Sequence, residues 1–499
     1  MTDLTVEQWR LIQYLNFKTQ CVADQEEVGI RLDYDKAVRH RDELVVLQAD
    51  KVLELQTVMP KTPITTKKEK PKITHKKDGT LSKEGEKWFA LLRENKLPIT
   101  FNGILEVVTG YKDANPNSPD QVKTWLKSLG WKPSTFKFVR DKVSGDERQI
   151  EQVRKGGELC SSVVRLASKV EEVRVLEGLS IIQHRLSFFE NFTCKGKALD
   201  KWKKGKSKKD CYVKPDTFDV PREIYVKSEI GGFTNTLRLK HKKPIANMPK
   251  VGLEWGEEIR GCLIATDGEM FCGSDLTSLE STTKRHYMFN HDPDYVAEMS
   301  EEGFDEHLNL AVFAGAVTQQ DVDSYAAGKA PWVKDIRGPY KATNYSAVYG
   351  VGKAALARDL GIPVKDAAKL LKDYWERNWA VKEIAEEQVV KIIKNGEMWL
   401  FNPVSEFWIS LRYEKDIFSS LNQSTGVFVF DTWKAYVKSK KQAVALEYHD
   451  EFLLRIKEGA EKDTEDVIQW AMVKTNEKIQ LNVTIGCDSQ FGNTYAECH

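Results

Sequence analysis

The sequence predicts an α+β protein with long helical regions and a sheet. Residues 6–58 and 146–190 have helical patterns, and residues 285–400 are also mostly helical. Segment 270–273 has the composition of a buried strand, and 443–456 has the pattern of two strands joined by a polar turn at 449–451. With 499 residues the chain is long enough for about three domains and a large core.

The first helical stretch is predicted to be a hairpin of two helices. Trp9, Ile12 and Leu15 form an apolar stripe on the first helix. Gly29 interrupts the pattern, and residues 35–58 resume it. Two long helices with a short joint are typical of a helical hairpin.

A polar insertion follows the hairpin. Residues 59–87 are rich in lysine and proline, with nine lysines and four acidic residues between positions 61 and 87. A second run, 195–214, has nine lysines and two acidic residues. Each run is either a solvated loop or a contact for a polyanion, and both readings remain open.

A short helix is predicted after the insertion. Ser118 suits the N-cap position, and Pro119 suits the first helical position. The helix should run to Leu129 and end at Gly130.

The amino-acid composition indicates the cellular compartment and the kinds of partner that the chain can bind. Lys and Arg total 75 against 74 for Asp and Glu, so a phosphate-binding surface requires segregated charge. The eight cysteines include no C-x-x-C pair, which favours a reduced, cytoplasmic setting without structural zinc. No signal peptide or apolar run of about 18 residues is present, so we expect no membrane partner.

Four residues spaced four apart predict a nucleotide-binding helix face. They are Arg337, Lys341, Tyr345 and Tyr349, followed by Gly350. Residues at this spacing share one face of a helix. The cations suit a triphosphate, and the rings suit a base. The alternative is a solvated basic helix whose tyrosines pack inward.

Two acidic positions predict a metal site. Asp275 follows the first apolar strand, and Asp450 lies between two apolar strands, within the segment 448–451. Each alone reads as a solvated turn. Together, on strands of one sheet, they would form a pair of carboxylates that repel unless a cation lies between them. Oxygen ligands favour Mg²⁺, and two such ions support phosphoryl transfer.

These segments resemble motifs of the A family of DNA polymerases, the Klenow-like group, in the same order and with similar separations. The resemblance covers nearly the whole chain. Segment 275–280 resembles the first palm motif, 337–350 the fingers helix and 448–451 the third motif. Segments 234–239 and 244–249 resemble the segment of the family that grips the primer. Residues 305–307 resemble a fingers segment, and Gln423 resembles a palm-helix glutamine.

The resemblance implies a right-hand polymerase architecture with a helical thumb, an antiparallel-sheet palm and helical fingers. Residues 1–60 and 151–215 would form the thumb, and 61–150 a lysine-rich thumb insertion. Residues 216–284 and 417–499 would form the palm, and 285–416 the fingers.

It also implies a template-directed DNA polymerase that binds primer–template DNA and dNTPs and uses two Mg²⁺ ions, with Mn²⁺ as a substitute. Asp275 and Asp450 would bind the metals with the Leu276 carbonyl, and Glu451 would lie near the primer end. Lys341 would also act as general acid toward pyrophosphate.

The same resemblance assigns the substrate contacts. Arg337, Lys341 and His307 would hold the triphosphate, and Tyr345 and Tyr349 would flank the base and sugar. Glu280 would wall off the sugar 2′ position. Arg238, Gln423 and His449 would contact DNA, with Arg238 reading the minor groove.

Departures from the family pattern concern the first motif and the fingers helix. Leu276, Ser278 and Thr282 replace the usual Tyr, Gln and Arg. Pro339 is unexpected inside a helix, so we expect the helix to begin near Gly338 and leave Arg337 at its edge.

The lysine-rich insertion in the thumb-like region, segment 115–118 and the ending Cys498–His499 resemble the phage branch of this family in particular. The chain begins with thumb-like helices, so we expect no intrinsic proofreading, and a separate 3′–5′ exonuclease chain is a hypothesis. In that branch a thumb insertion can bind a processivity protein, and residues 61–150 occupy that place. We expect a role in phage DNA replication.

Two alternatives remain. A single-subunit RNA polymerase shares the architecture, but its family tends to carry methionine at the position of Tyr345 and lacks the Glu280 gate. A degenerate polymerase would only bind DNA, and the presence of Asp275, Asp450, Lys341 and Arg337 argues against it.

Overall fold

The structure is a computed structural model of the chain. It describes residues 4–140, 147–155, 158–194, 223–242, 245 and 247–498. The second lysine run, 195–214, and part of the primer-gripping segment, 244 and 246, lie outside the described residues. The chain forms two compact units, one of Met1–Val45 with Ile181–His499 and one of Val46–Ser180.

The helices, in chain order, are α1 (Val6–Val28), α2 (Tyr34–Val58), α3 (Lys83–Glu94), α4 (Pro119–Ser128), α5 (Ser161–Ala167), α6 (Glu171–Arg174), α7 (Leu176–Thr193), α8 (Gly256–Arg260), α9 (Leu279–Met288), α10 (Pro293–Glu298), α11 (Glu306–Phe313), α12 (Gln319–Ala326), α13 (Val333–Ala347), α14 (Lys353–Leu360), α15 (Val364–Arg377), α16 (Trp379–Glu387), α17 (Ile417–Ser439) and α18 (Glu461–Ile479). In the described parts of the chain, no helix is both long and apolar enough to cross a membrane.

The strands are short and pair antiparallel. They are β1 (Ile30–Leu32), β2 (Thr62–Lys68), β3 (Leu105–Lys112), β4 (Phe136–Arg140), β5 (Glu147–Glu151), β6 (Arg154–Lys155), β7 (Glu158–Leu159), β8 (Tyr225–Val226), β9 (Ile230–Phe233), β10 (Leu239–His241), β11 (Leu263–Ile264), β12 (Glu269–Leu276), β13 (Val390–Ile392), β14 (Met398–Asn402), β15 (Phe407–Leu411), β16 (Ala443–Tyr448), β17 (Glu451–Lys457) and β18 (Cys487–Gly492).

A four-stranded sheet with strand order β16-β17-β12-β18 forms the centre of the larger unit. Both of its faces are covered. Phe271 and Leu453 pack on one side with a cluster that includes Phe189, while Phe452 packs on the other with Trp433 of α17. The run 269–276 is therefore buried on both faces, as its apolar composition predicts.

Gly273 in the middle of β12 allows a close approach by the C-terminal segment. A Cβ atom at this position would lie 2.7 Å from the Cys498 carbonyl oxygen. The glycine therefore lets the chain end pack directly on the strand that leads to Asp275.

The first helical hairpin forms, but two details differ from expectation. The joint contains β1, which pairs with both β8 and β11. The apolar stripe does not define the buried side of α1, because Trp9 is 55% exposed and the buried residues are Lys18, Cys21 and Gln25.

A buried charge network explains this polar face. The Lys18 ammonium lies 2.5 Å from Asp431 of α17, and the Tyr14 hydroxyl also donates to Asp431. Lys434 bridges Asp431 at 2.9 Å and Glu447 at 2.6 Å. Burial alone would lower the pKa of Lys434, but the two carboxylates reverse this effect and raise it. Two cations and two anions therefore balance where α1 meets α17 and β16.

In the smaller unit the insertion is more ordered than a linker. Segment 62–68 is the strand β2, and it pairs with β3 in a two-stranded ribbon. The alternating β-branched residues in Thr62–Thr66 favour a strand despite the flanking lysines. The predicted helix α4 is confirmed, with the Ser118 hydroxyl accepting from the Gln121 amide and Gly130 at a φ of 88°.

The thumb, palm and fingers boundaries stay predictions. The division at residues 46 and 180 groups the insertion with residues on both sides of it, within one unit.

Candidate active site

Acidic residues gather at one edge of the central sheet. Asp275, near the end of β12, is paired in register with Glu451 of β17 and Asp488 of β18. Asp450 lies in the two-residue turn between β16 and β17, and the Leu276 amide donates to its carbonyl oxygen at 3.1 Å. The hairpin thus places Asp450 beside the strand end that carries Asp275.

The tight turn depends on the residue before Asp450. His449 has a φ of 65°, a left-handed conformation that two-residue hairpin turns require. The turn therefore holds both His449 and Asp450 at the sheet edge.

The electrostatics of this edge favour a cation. Burial raises the pKa of Asp450, and the negative charges of Asp275 and Glu451 raise it further. Glu451 is buried and accepts from the Tyr495 hydroxyl at 3.2 Å. Asp488, which the sequence did not single out, accepts from the Thr277 hydroxyl at 3.0 Å. Nothing in its local sequence marks it, because only strand pairing brings it opposite Asp275.

The oxygen donors at this edge would fill only part of the coordination shell of a hard divalent cation. Two carboxylates and a backbone carbonyl are oxygen ligands, and Mg²⁺ in proteins is often bound by one or two carboxylates plus substrate phosphates. Within the described ranges, no group of three or more His, Cys, Asp and Glu side chains is arranged to hold a metal. The protein would therefore supply part of the coordination shell, and a phosphate ligand the rest.

A cavity of about 390 Å³ opens beside Asp450. Its volume is in the range of small-ligand sites. Six of the sequence-predicted site residues line it: Arg238, Glu280, Tyr345, Tyr349, Gln423 and Asp450. Asn344 and Asn422, which sequence reasoning missed, also line it.

The Tyr349 hydroxyl connects two other predicted residues across this cavity. It donates to Glu280 at 3.2 Å and accepts from the Gln423 side chain at 3.0 Å. The Asn422 side chain donates to the Glu280 backbone carbonyl at 3.0 Å. The Glu280 carboxylate is thereby held at the cavity wall.

Two expectations about the helix predicted to belong to the fingers are wrong. The helix α13 begins at Val333 and contains Pro339, so Arg337 lies within the helix rather than at its edge. A proline costs one backbone hydrogen bond, which the surrounding helix tolerates here. At the other end α13 stops at Ala347, so Tyr349 lies in the following turn before Gly350, whose φ is 66°.

The predicted triphosphate residues lie on α11 and α13. The Lys341 side chain is exposed, with its ammonium 5.9 Å from the Tyr345 ring centre. Arg337 pairs with Asp305 at 2.5 Å. His307 is only 5% exposed, and burial lowers its pKa. These three residues do not line the 390 Å³ cavity.

Two histidines lie close together behind Asp450. The rings of His241 and His449 are 5.5 Å apart, and both line a small cavity with Arg238. Burial and the nearby Arg238 lower the pKa of each imidazole to about 4. Both ring nitrogens of His241 and Nδ1 of His449 are buried without a hydrogen-bond partner among the described residues. His241 is a further residue that the sequence did not indicate.

We expect His241 to make the protein sensitive to acid. The folded pKa of about 4 lies below the unfolded value of about 6.5, so only the unfolded chain takes up this proton between those values. The contribution of His241 to the stability of the fold is therefore fully present above pH 6.5 and is lost as the pH falls toward 4. His241→Gln should reduce that loss by about 1–2 kcal/mol, since the ring is not fully buried. Urea unfolding at pH 7 and pH 4.5 measures it, with His75→Gln as an exposed control. An unchanged pH dependence in His241→Gln would contradict the expectation.

Comparisons with known proteins identify the family of this chain. Residues 100–400, more than half of the chain, match the family model described as DNA polymerase family A. DNA polymerase I of Lactococcus lactis subsp. cremoris is 25% identical over 285 residues, which cover 54% of this chain and 31% of that protein. DNA polymerase I of Bacillus caldotenax is 23% identical over 301 residues, covering 57% and 32%. The chain spans about a third of the length of these curated relatives.

A solved structure has the same fold. The POL domain of Pol1 from M. smegmatis, in complex with DNA primer-template and dNTP, has a TM-score of 0.63 and 15% identity. The match covers 96% of this chain and 69% of that chain. The predicted α+β polymerase fold is confirmed by this likeness.

Proposed function

The chain belongs to DNA polymerase family A, and we propose that it is a template-directed DNA polymerase that adds dNTPs to a primer 3′-OH by two-metal phosphoryl transfer. One observation carries the proposal: Asp450, Glu280, Tyr345 and Tyr349, which are distant in sequence, line one cavity. The matched relatives are DNA polymerases, which favours deoxynucleotide synthesis over the RNA polymerase alternative.

In this proposal the sheet edge holds the metals. Asp275, Asp450 and the Leu276 carbonyl would bind two Mg²⁺ ions, or Mn²⁺ in their place. When bound, such ions lower the pKa of an attacking hydroxyl and neutralise the charge of the leaving phosphate. Glu451, one residue from Asp450 and buried, would face the primer end.

The fingers residues would hold the nucleotide. Arg337, Lys341 and His307 would bind the triphosphate, and the Lys341 ammonium would donate a proton to the departing pyrophosphate. Asn344 donates to Nδ1 of His307 at 3.0 Å, which leaves the imidazole proton on Nε2 for a phosphate oxygen.

The cavity residues would select the sugar and the base pair. Tyr345 and Tyr349 offer ring faces to the base and sugar. The Glu280 carboxylate, held by Tyr349, would exclude a ribose 2′-OH. Arg238 would read the DNA minor groove, Gln423 would lie near the primer–template junction, and His449 would also contact DNA. The solved neighbour contains primer-template and dNTP, which supports these partners.

Three finer expectations stay predictions. A phage role finds no support in the relatives reported above, which are bacterial proteins. A processivity protein on residues 61–150 and a separate exonuclease chain likewise rest on resemblance alone.

Primer extension on a defined template tests the proposal. With a 5′-labelled primer and Mg²⁺, we expect template-dependent growth with dNTPs and much less with rNTPs. Growth with rNTPs alone would favour the RNA polymerase. DNA binding without growth under either condition would favour the degenerate polymerase. The same label reports any shortening of the primer.

Tyr345 is expected to permit chain termination by dideoxynucleotides. A tyrosine hydroxyl can replace the missing 3′-OH as a partner for a phosphate oxygen, and Tyr345 is exposed toward the cavity. Tyr345→Phe should raise the preference for dNTP over ddNTP by at least about tenfold. Competition between dTTP and ddTTP measures the ratio, with Tyr413→Phe, at another exposed tyrosine, as the control. A strong dNTP preference that Tyr345→Phe leaves unchanged would refute the expectation.

A further inference from the structure

Asp305 uses its two carboxylate oxygens on two different helices. Oδ1 accepts from the amides of His307 at 2.9 Å and Leu308 at 3.0 Å and so caps the start of α11. Oδ2 accepts from Nε of Arg337 on α13 at 2.5 Å. One carboxylate thus joins the helix that carries His307 to the helix that carries Arg337 and Lys341.

A second bond fixes the same pair of helices. The Asn344 side chain, on α13, donates to the Glu306 carbonyl at 3.1 Å and to Nδ1 of His307 at 3.0 Å. Asn344 and His307 are both buried. The relative position of the two helices is therefore held by one partly buried contact and one buried contact.

The atom that Asp305 holds matters for Arg337. A guanidinium has five N–H donors, one on Nε and two on each terminal nitrogen. The bond to Asp305 uses Nε, and among the described residues the four N–H donors on Nη1 and Nη2 make no other hydrogen bond. The Nη1 and Nη2 end is the part of arginine that binds a phosphate through two parallel hydrogen bonds.

The charge state of Asp305 suits this role. Although burial raises its pKa, the Arg337 bond and the two capping amides lower it below the usual value. Both side chains are partly buried, at 26% exposed for Asp305 and 29% for Arg337, so salt screens the pair less than a surface pair.

We propose that Asp305 is a positioning residue for the nucleotide triphosphate, because it grips Arg337 at Nε and presents Nη1 and Nη2 to phosphate oxygens. The inference rests on the proposed function and deepens it, since Arg337 is the proposed phosphate ligand. Holding the guanidinium in advance removes part of the ordering cost of binding, as is general for long flexible side chains.

Asp305→Asn separates the two roles of the carboxylate. Asparagine caps a helix about as well as aspartate, so α11 keeps its cap. Its amide cannot accept from Nε of Arg337 if its oxygen remains on the capping amides. In single-turnover incorporation we expect the apparent Kd for dNTP to rise about fivefold, with the maximal rate changed less than about twofold. Asp292→Asn is the matched control, because Asp292 caps α10 through the Tyr295 amide at 3.2 Å.

An Arg337→Ala background distinguishes positioning from general weakening. If Asp305 acts through Arg337, Asp305→Asn should change the dNTP Kd less than about twofold when Arg337 is absent. Full additivity, an unchanged Kd in Asp305→Asn, or an unchanged Kd in Arg337→Ala would each overturn the inference. A lower Kd in Asp305→Asn would also overturn it, because Asp305 would then withhold Arg337. Melting temperatures of all variants check folding. Absence of primer extension by the wild type would instead refute the proposed function.

Discussion

Asp450→Asn is expected to lower the rate of nucleotide incorporation by about a thousandfold or more. The substitution keeps the shape of the side chain but removes one of two carboxylates proposed to hold both catalytic cations, whose contribution is several kcal/mol. Asp275→Asn should have a similar effect. Single-turnover incorporation on a labelled primer–template measures the rate.

The control for this prediction is Asp267→Asn. Asp267 precedes β12, at the end of the strand opposite to Asp275, and its side chain is 92% exposed. We expect near-normal incorporation from this variant. Asp450→Asn should still bind primer–template, measured by fluorescence anisotropy. Incorporation within tenfold of the wild type in either Asp450→Asn or Asp275→Asn would contradict the proposed metal ligands.

Lys434→Met is expected to destabilise the larger unit by about 3–5 kcal/mol. Lys434 is 1% exposed and is the cation that Asp431 and Glu447 share. Removing one partner of a buried ion network leaves carboxylate charge without compensation in a region of low dielectric. Urea unfolding followed by tryptophan fluorescence measures the loss.

The matched control lies one turn further along α17. Lys438 pairs with Asp24 of α1 at 2.6 Å, but these side chains are 19% and 35% exposed. Because this pair is partly solvated and its loss leaves no fully buried charge, Lys438→Met should cost only about 1 kcal/mol. Adding Glu447→Gln to Lys434→Met should restore part of the stability, since it removes one uncompensated charge. If Lys434→Met and Lys438→Met lowered the free energy of unfolding equally, burial would not determine how much the ion network stabilises the protein.

The carboxylate edge could be predicted because its signals are local. The strand before Asp275 and the two strands around Asp450 have apolar runs long enough to identify, and acidic residues at strand ends are visible without knowing the fold. Asp488 has no such signal. It lies opposite Asp275 only because β18 pairs with β12.

The helix α13 shows what rules based on neighbouring residues cannot predict. Pro339 predicts a helix start, but the chain continues the helix through it because neighbouring elements stabilise α13. Tyr349 fits the four-residue spacing and yet lies beyond the helix end. Its hydroxyl reaches Glu280 and Gln423 from the turn, a contact that helical spacing could not predict.

The first helix, α1, shows that local sequence also fails to predict the burial of a charged residue. Apolar spacing selects Trp9 for the buried face, but the structure buries Lys18 instead, whose partner Asp431 is 413 residues away. A lysine is stable in that position only when its counter-ion is present, and helical periodicity contains no information about a partner so distant.

The sequence by itself determined the kinds of chemistry available to this chain: carboxylates at strand ends, cations and tyrosines at helical spacing, and helices interrupted by a sheet. These follow from preferences that act over a few residues. Only the tertiary structure decided which groups meet. It placed Asp305 on Nε of Arg337, Tyr349 between Glu280 and Gln423, and Lys18 on Asp431. Such pairings join segments tens to hundreds of residues apart, and they depend on the path of the whole chain.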